Sequence, residues 1–324
     1  MRKPSVFVTR GIPEKAMRLV LETCEVDIWP EETPPPRHDL LQRVRDKDGL
    51  LALLTDTVDA AVIDGAPRLR VISNCAVGVD NIDLAAATSR RIPVGNTPDV
   101  LTDATADLAF ALLLAAARRL VEGVEYVKAG RWKTWNLQLL LGADLADRTL
   151  GIVGFGRIGR AVARRAQGFG LRLIYHDPAV AHDPAGSSVS LEALLSNSDF
   201  VSLHVPLTAE THHMINDQNL GRMKPTAILI NTSRGPVVDH DALYRALKAG
   251  RIFAAGLDVT EPEPLGPDSP LLRLDNCIVL PHLGSASQWT REQMALLAAE
   301  NLIAGLEGRR LPHCVNPEVY DLSR

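Results

Sequence analysis

Three segments of this chain carry residue types suited to acid–base and anion-binding chemistry, and each follows an apolar run. The run 227–231 leads into Thr232-Ser233-Arg234-Gly235. The run 254–259 leads into Asp258-Val259-Thr260-Glu261-Pro262-Glu263-Pro264, and the run 277–280 into Pro281-His282-Leu283-Gly284-Ser285. Histidine is the side chain that gives and takes a proton near neutrality. A carboxylate beside it stabilises the imidazolium and fixes which ring nitrogen faces a substrate. Glu263 fits that role for His282, but Glu261 competes for it, and spacing does not separate the two. An Arg at a strand C-terminus holds a carboxylate by two parallel hydrogen bonds and polarises an adjacent carbonyl. Each residue alone has a blander reading, a structural histidine or a surface ion pair. The neighbours His212-His213 have the look of a metal pair. Read as strand residues they point to opposite faces, so they are expected not to be ligands and no metal is assigned.

A fourth segment supplies the context for these three. Leu150-Gly151-Ile152-Val153-Gly154-Phe155-Gly156-Arg157-Ile158-Gly159 is a GxGxxG stretch directly after an apolar strand and ahead of a helix read over 160–169. In that setting Gly154 allows the tight turn, Gly156 lets the backbone approach a pyrophosphate, and Gly159 lets helix and strand pack closely. The pyrophosphate sits on the helix N-terminus, where unpaired N–H groups and the dipole favour an anion. The next strand, 171–176, ends in Asp177, a carboxylate that accepts from a ribose diol and repels a 2′-phosphate. No Arg or Lys follows between Pro178 and Asp183, so NAD is expected and NADP disfavoured. A nicotinamide carries the hydride and His282 the proton. Together these residues predict hydride transfer between NAD(H) and a small 2-oxo or 2-hydroxy acid.

The elements that must hold these residues read as alternating strands and helices: strands at 5–9, 25–29, 50–54, 69–74 and 92–96, with helices at 13–24, 38–47 and 84–90 between them. That alternation is the pattern of parallel sheets covered on both faces. A helix over 103–120, apolar all round, is expected to be buried on several sides. After a Trp-containing polar stretch the alternation resumes to about 280, and a second long helix spans 287–306. The fold class is therefore α/β, with two domains: 1–97 completed by 288–324, and 98–287.

Composition sets the outer bounds. A chain of 324 residues suits two domains, and 46% hydrophobic with 23% charged residues is an ordinary globular balance. A net charge of −4 argues against a nucleic-acid partner. No run is long enough for a membrane span or a signal-peptide core. Cys24, Cys75, Cys277 and Cys314 form no CxxC pair and read as reduced thiols of a cytoplasmic protein.

Taken together the motifs resemble the D-specific 2-hydroxyacid dehydrogenase family over essentially the whole chain. The resemblance is carried by the run 74–83 (Asn74-Cys75-Ala76-Val77-Gly78-Val79-Asp80), by Asn96-Thr97-Pro98 with Thr102–Asp107, and by the glycine loop. Asn231–Gly235, Gly256–Val259 with Glu263-Pro264, and Pro281-His282 with Gly284-Ser285 complete it. It implies a flavodoxin-like substrate domain and a Rossmann NAD-binding domain closing over a cleft, and a homodimer formed through the latter. It implies that Glu263 is the partner of His282 and that Arg234 is the third catalytic residue. Substrate contacts are implied at Val77, Gly78, Arg234, His282 and Ser285. Cofactor contacts are implied at Thr105, Gly154, Phe155, Gly156, Arg157, Ile158, Gly159, Asp177, Val205, Pro206, Thr232, Ser233, Arg234, Asp258, His282 and Gly284. Trp135 is placed near the partner's site. Within the family the wording is most similar to glyoxylate/hydroxypyruvate reductases, although Asp177 stands where NADP-preferring members carry a small polar residue. Val77, where phosphite dehydrogenases have Lys, argues against phosphite. Glu263, where formate dehydrogenases have Gln, argues against formate. A phosphoglycerate dehydrogenase, which often adds a C-terminal regulatory domain, or another D-2-hydroxyacid dehydrogenase is the alternative enzyme. A non-catalytic NAD-sensing, corepressor-like module is the alternative class.

Overall fold

Short runs of Val, Ile, Leu, Ala and Phe with no polar alternation form strands only where both faces are covered, and the chain builds two sheets this way. The computed structural model describes residues 2–321; the first residue and the last three of the 288–324 segment lie outside them. The chain divides into one unit of Met1–Leu101 with Ser287–Arg324 and a second of Thr102–Ala286. Residues 98–101 and Ser287 thus lie with the first unit.

In the first unit, β1 (Ser5–Val8), β2 (Glu25–Ile28), β3 (Gly49–Ala52), β4 (Val71–Asn74) and β5 (Val94–Gly95) form one sheet in the order β2-β1-β3-β4-β5. All the pairings are parallel. This is the flavodoxin-like order. Phe7, Leu50 and Ile72 face one core, while Val6, Val8, Leu51 and Val71 face the other. Helices α1 (Glu14–Thr23), α2 (Arg37–Val44), α3 (Ala60–Asp64) and α4 (Leu84–Ser89) join the strands. Asp59 and Asp83 cap the last two by accepting the N–H of Val62 and Ala86. The C-terminal helix, Gln288–Leu306, is capped by Ser287 and packs on α1, β3 and β4. The tail behind it returns to β5, with Asn96 N–H donating to His313 O (3.2 Å) and Val94 N–H to Asn316 Oδ1 (2.8 Å).

The second unit opens with α5 (Thr102–Ala117) and α6 (Leu120–Lys128). The helix expected over 103–120 ends at Ala117, and α6 follows as an element the sequence reading did not assign, set off by Arg119, whose φ of 52° leaves the helical region. The sheet comprises β6 (Thr149–Val153), β7 (Arg172–His176), β8 (Ser187–Ser188), β9 (Phe200–Leu203), β10 (Ile228–Asn231), β11 (Ala254–Leu257) and β12 (Cys277–Val279). Their order is β12-β11-β10-β9-β6-β7-β8, the doubly wound order with its switch point between β6 and β9. Leu150, Ile152, Ile228 and Ile230 face one core; Val153, Leu203 and Leu229 face the other. Helix α5 is buried within this unit, against β10, β11 and α7 (Arg157–Gln167). Helices α8 (Leu191–Asn197), α9 (Asp217–Leu220) and α10 (His240–Lys248) complete the layers. No helix among the described residues is long and apolar enough to cross a membrane.

Candidate active site

Open parallel sheets present ligands at the C-terminal ends of their strands, and in the second unit those ends hold every residue of the three reactive segments. After β6 the chain turns at Gly154, with φ of 88°. A Cβ there would lie 2.6 Å from His204 O and 2.9 Å from Val205 N. Gly159 is equally closed, with a would-be Cβ 2.3 Å from Gly154 O. Gly156, in contrast, opens onto free space and caps α7 without a side chain. Helix α7 starts at Arg157, three residues before the expected 160, so the glycine loop itself presents the first unpaired N–H groups of the helix. Asp177 follows β7, and its carboxylate accepts the N–H of Phe155 (2.7 Å) and of Ala179 (2.8 Å). Each oxygen keeps a second lone pair for a diol. The buried Thr232 Oγ1, at the end of β10, has no hydrogen-bond partner among the described residues. A dinucleotide fits this set: an open phosphate cradle, an acid and an orphaned hydroxyl.

The histidine loop is built around Asp258, almost wholly buried at the end of β11. Its Oδ1 accepts from Leu283 N–H (2.6 Å) and its Oδ2 from Gly284 N–H (2.7 Å), while its carbonyl accepts from His282 N–H (2.9 Å). These bonds hold His282 at φ of 57°, a left-handed conformation that costs on the order of 1–3 kcal/mol for a non-glycine residue. A Cβ on Gly284 would lie 3.2 Å from Asp258 Oδ2 and 3.5 Å from Thr105 Oγ1, so Thr105, Asp258 and Gly284 adjoin.

His282 Nδ1 lies 2.6 Å from Glu263 Oε1, which leaves Nε2 as the outward nitrogen. Burial pushes the Glu263 carboxyl up. The hydrogen bond and charge of His282, the Thr260 N–H and the Arg234 charge outweigh it and leave the group below its ordinary range. Arg234 follows a turn organised by Asn231, a residue quoted in the 231–235 motif but given no role of its own there. Asn231 Nδ2 donates to Arg234 O (2.8 Å), and its Oδ1 accepts from Ser233 N–H (3.0 Å) and Oγ (2.7 Å). An Asn at a strand end with Ser two positions on is the signal of such an Asx turn. Arg234 Nη1 donates to Ser233 O (2.9 Å).

Glu261 belongs elsewhere: its Oε2 is 2.7 Å from His213 Nε2. The strand reading of His212-His213 is overturned. Both lie outside any strand, and His213 adopts φ of 48°. The two rings therefore stack at 4.0 Å instead of pointing apart.

In the first unit, the loop after β4 is held by its carbonyls. Asn96 Nδ2 donates to Val77 O (2.8 Å) and Asn74 Nδ2 to Gly78 O (2.9 Å). The N–H groups of Val77 and Gly78 have no partner among the described residues.

His204, next to the glycine loop, was also passed over by the motif reading. Its Nε2 pairs with Ser202 Oγ (2.8 Å) and its buried Nδ1 has no partner among the described residues. The ring is shut in, although the residue keeps some exposed surface, and burial pushes its pKa down to about 4. The unfolded chain, with an ordinary His near 6.5, therefore binds the proton first. Stability should fall as pH drops from about 6.5 to about 4. Urea midpoints across that window check this, and His204→Gln should flatten the profile.

A doubly wound sheet with a glycine loop, an acid after its second strand and a carboxylate–histidine pair at its far strand ends defines a nicotinamide-dependent dehydrogenase. Residues 110–284 match the family described as D-isomer specific 2-hydroxyacid dehydrogenase, NAD binding domain, and this chain belongs to that family. It is 56% identical over 322 residues to a glyoxylate reductase of Korarchaeum cryptofilum, covering 98% of this chain and 97% of that one. Among solved structures it is similar to the TT0316 protein of Thermus thermophilus, with a TM-score of 0.92 and 52% identity over 96% of this chain and 99% of the other. It is also similar to an NADPH-dependent glyoxylate/hydroxypyruvate reductase of Sinorhizobium meliloti in complex with NADP and malonate. There the TM-score is 0.87 and the identity 34%, over 97% of each chain.

Proposed function

We propose that this enzyme uses NADH to reduce glyoxylate or hydroxypyruvate to the 2-hydroxy acid, with D configuration where the product is chiral. The observation that carries the reading is the 2.6 Å Glu263–His282 pair, set in the same sheet as the glycine loop and Arg234. With Nδ1 engaged by Glu263, His282 delivers the proton from Nε2 to the carbonyl oxygen. Glu263 holds the ring and stabilises its cationic form before transfer. Arg234 grips the substrate carboxylate and polarises the carbonyl beside it, and Val77 and Gly78 of the first unit are taken as substrate contacts on the family resemblance. Ser285 is a further substrate contact. Bound NADH supplies the hydride.

The cofactor contacts are the glycine loop with Phe155, Arg157 and Ile158, together with Thr105, Asp177, Val205, Pro206, Thr232, Ser233, Arg234, Asp258, His282 and Gly284. NAD is favoured over NADP because a 2′-phosphate would meet the Asp177 carboxylate. The relatives support the substrate: the K. cryptofilum and S. meliloti proteins are named for glyoxylate or hydroxypyruvate. A homodimer through the second unit is supported by its exposed apolar side chains, Leu120, Val124, Val127, Trp132, Trp135 and Leu137 among them. Four free thiols suit a reducing compartment, the cytoplasm.

Nicotinamide absorbance followed with glyoxylate, hydroxypyruvate and pyruvate, each with NADH and with NADPH, is the test. Turnover fastest with NADH and one of the first two is expected; no turnover with any of them refutes the reading. Arg234→Ala should raise KM by about 10- to 100-fold, the loss of a charged hydrogen bond of about 1.5–3 kcal/mol, with a smaller fall in kcat. An unchanged KM removes Arg234 from the substrate.

A further inference from the structure

Two histidines on the turn after β9 take no part in the chemistry above, yet their backbone is firmly fixed. Thr208 N–H donates to Thr211 Oγ1 (2.8 Å), which donates to Pro206 O (2.7 Å). His212 N–H donates to Thr208 O (3.0 Å) and His213 N–H to Pro236 O (2.7 Å). On this base the two rings stack, 27° from parallel, and both turn Nε2 toward Glu261. The separations are 2.7 Å from His213 to Oε2 and 3.9 Å from His212 to Oε1. One donor atom from each of the three residues lies within 4.8 Å of the others. Glu261 is itself anchored: its N–H donates to His240 Nδ1 (3.4 Å), and Thr260 Oγ1 donates to Pro262 O beside it (2.8 Å).

An ion pair needs one histidine and one carboxylate. It does not account for a second ring stacked on the first with its nitrogen turned to the same carboxylate. Two imidazoles and a carboxylate are a donor set of zinc-class metals, at bond lengths of about 2.0–2.2 Å. Donors around a tetrahedral ion of that size stand roughly 3–3.5 Å apart, so the 2.7 Å contact opens and the 3.9 Å contact closes by less than about an ångström. The side chains keep 51%, 38% and 36% of their surface exposed, which leaves a fourth position for water. Imidazole nitrogens disfavour calcium and magnesium, which take oxygen ligands.

We propose that His212, His213 and Glu261 bind one divalent transition-metal ion of the zinc class, at a site separate from the His282–Glu263 pair. The ion ties the turn after β9 to the segment after β11, two residues ahead of Glu263, and so clips in place the chain that carries the histidine's partner.

The test uses the full-length protein, stripped with chelator and dialysed against Zn²⁺. About one ion per chain is expected. Among the described residues the His212 ring makes no hydrogen bond, so His212→Gln leaves fold and oxo-acid reduction intact, checked by circular dichroism and turnover. It should weaken Zn²⁺ binding at least about 10-fold, since even indirect ligand partners are worth that much. The pair His212→Gln with Glu261→Gln should abolish binding. Cobalt in place of zinc should show visible bands without a thiolate charge-transfer band, because none of the three donors is a thiol. No stoichiometric uptake overturns the proposal. So does uptake with unchanged affinity in the double variant, which places the ion elsewhere.

Discussion

Replacing His282 by Ala should lower kcat at least about 10²-fold, the scale of losing a positioned general acid. The geometry sets this expectation. Glu263 holds Nδ1 at 2.6 Å, so Nε2 is the proton donor, and Ala leaves bulk water to supply the proton. Glu263→Gln should cost less, because the amide still accepts from Nδ1–H but no longer stabilises the charged ring. Steady-state turnover together with NADH binding by fluorescence separates the two effects. A His282→Ala enzyme within a few-fold of the parent would mean that the proton comes from another group.

The second large effect is expected at Asp258, which acts through the loop it holds. Asp258→Ala removes the acceptor from two N–H groups, those of Leu283 and Gly284. Each orphaned donor costs about 1–3 kcal/mol, so urea unfolding should register a loss of about 2–6 kcal/mol. The same change releases His282 from its left-handed backbone, and a misplacement of about 1 Å costs roughly 10²-fold in rate. Asp258→Asn keeps one acceptor oxygen and should recover part of both. A stability loss with unchanged kcat would show that the clamp holds the fold without aiming the histidine.

Much of this was legible in the residues themselves. The glycine loop, Asp177 and the three strand-end segments announced a doubly wound sheet and its ligand edge, because close backbone approach and strand burial leave marks on residue type. Other features leave none. Glu261 and Glu263 sit two apart in a proline-punctuated loop with no periodicity. The family resemblance paired Glu263 with His282 where spacing left the two tied, and the pairing of Glu261 with His213 became visible only in the positions of the rings. His212-His213 looked like strand residues because one positive φ, at His213, has no signature in a non-glycine residue. The break at Arg119 was hidden for the same reason, since an arginine does not mark a left-handed turn. Asp258 read as a cofactor contact, and its grip on the 283–284 backbone depends on a pairing across two strand ends that local sequence does not encode.

The strand order of the first unit has a bearing on how the chain comes together in time. Its sheet is covered by α1 on one stretch of sequence and by the C-terminal helix Gln288–Leu306 and the tail at 313–316 on another. The second unit is continuous, from Thr102 to Ala286. As the chain leaves the ribosome, β1 through β5 emerge before the second unit but wait, one apolar face covered only in part by α1, until the entire intervening unit has been made. The second unit can close on its own contacts meanwhile. The part of the molecule synthesised first is thus the part that finishes last, and its half-covered sheet is where a nascent chain is most exposed to misassociation.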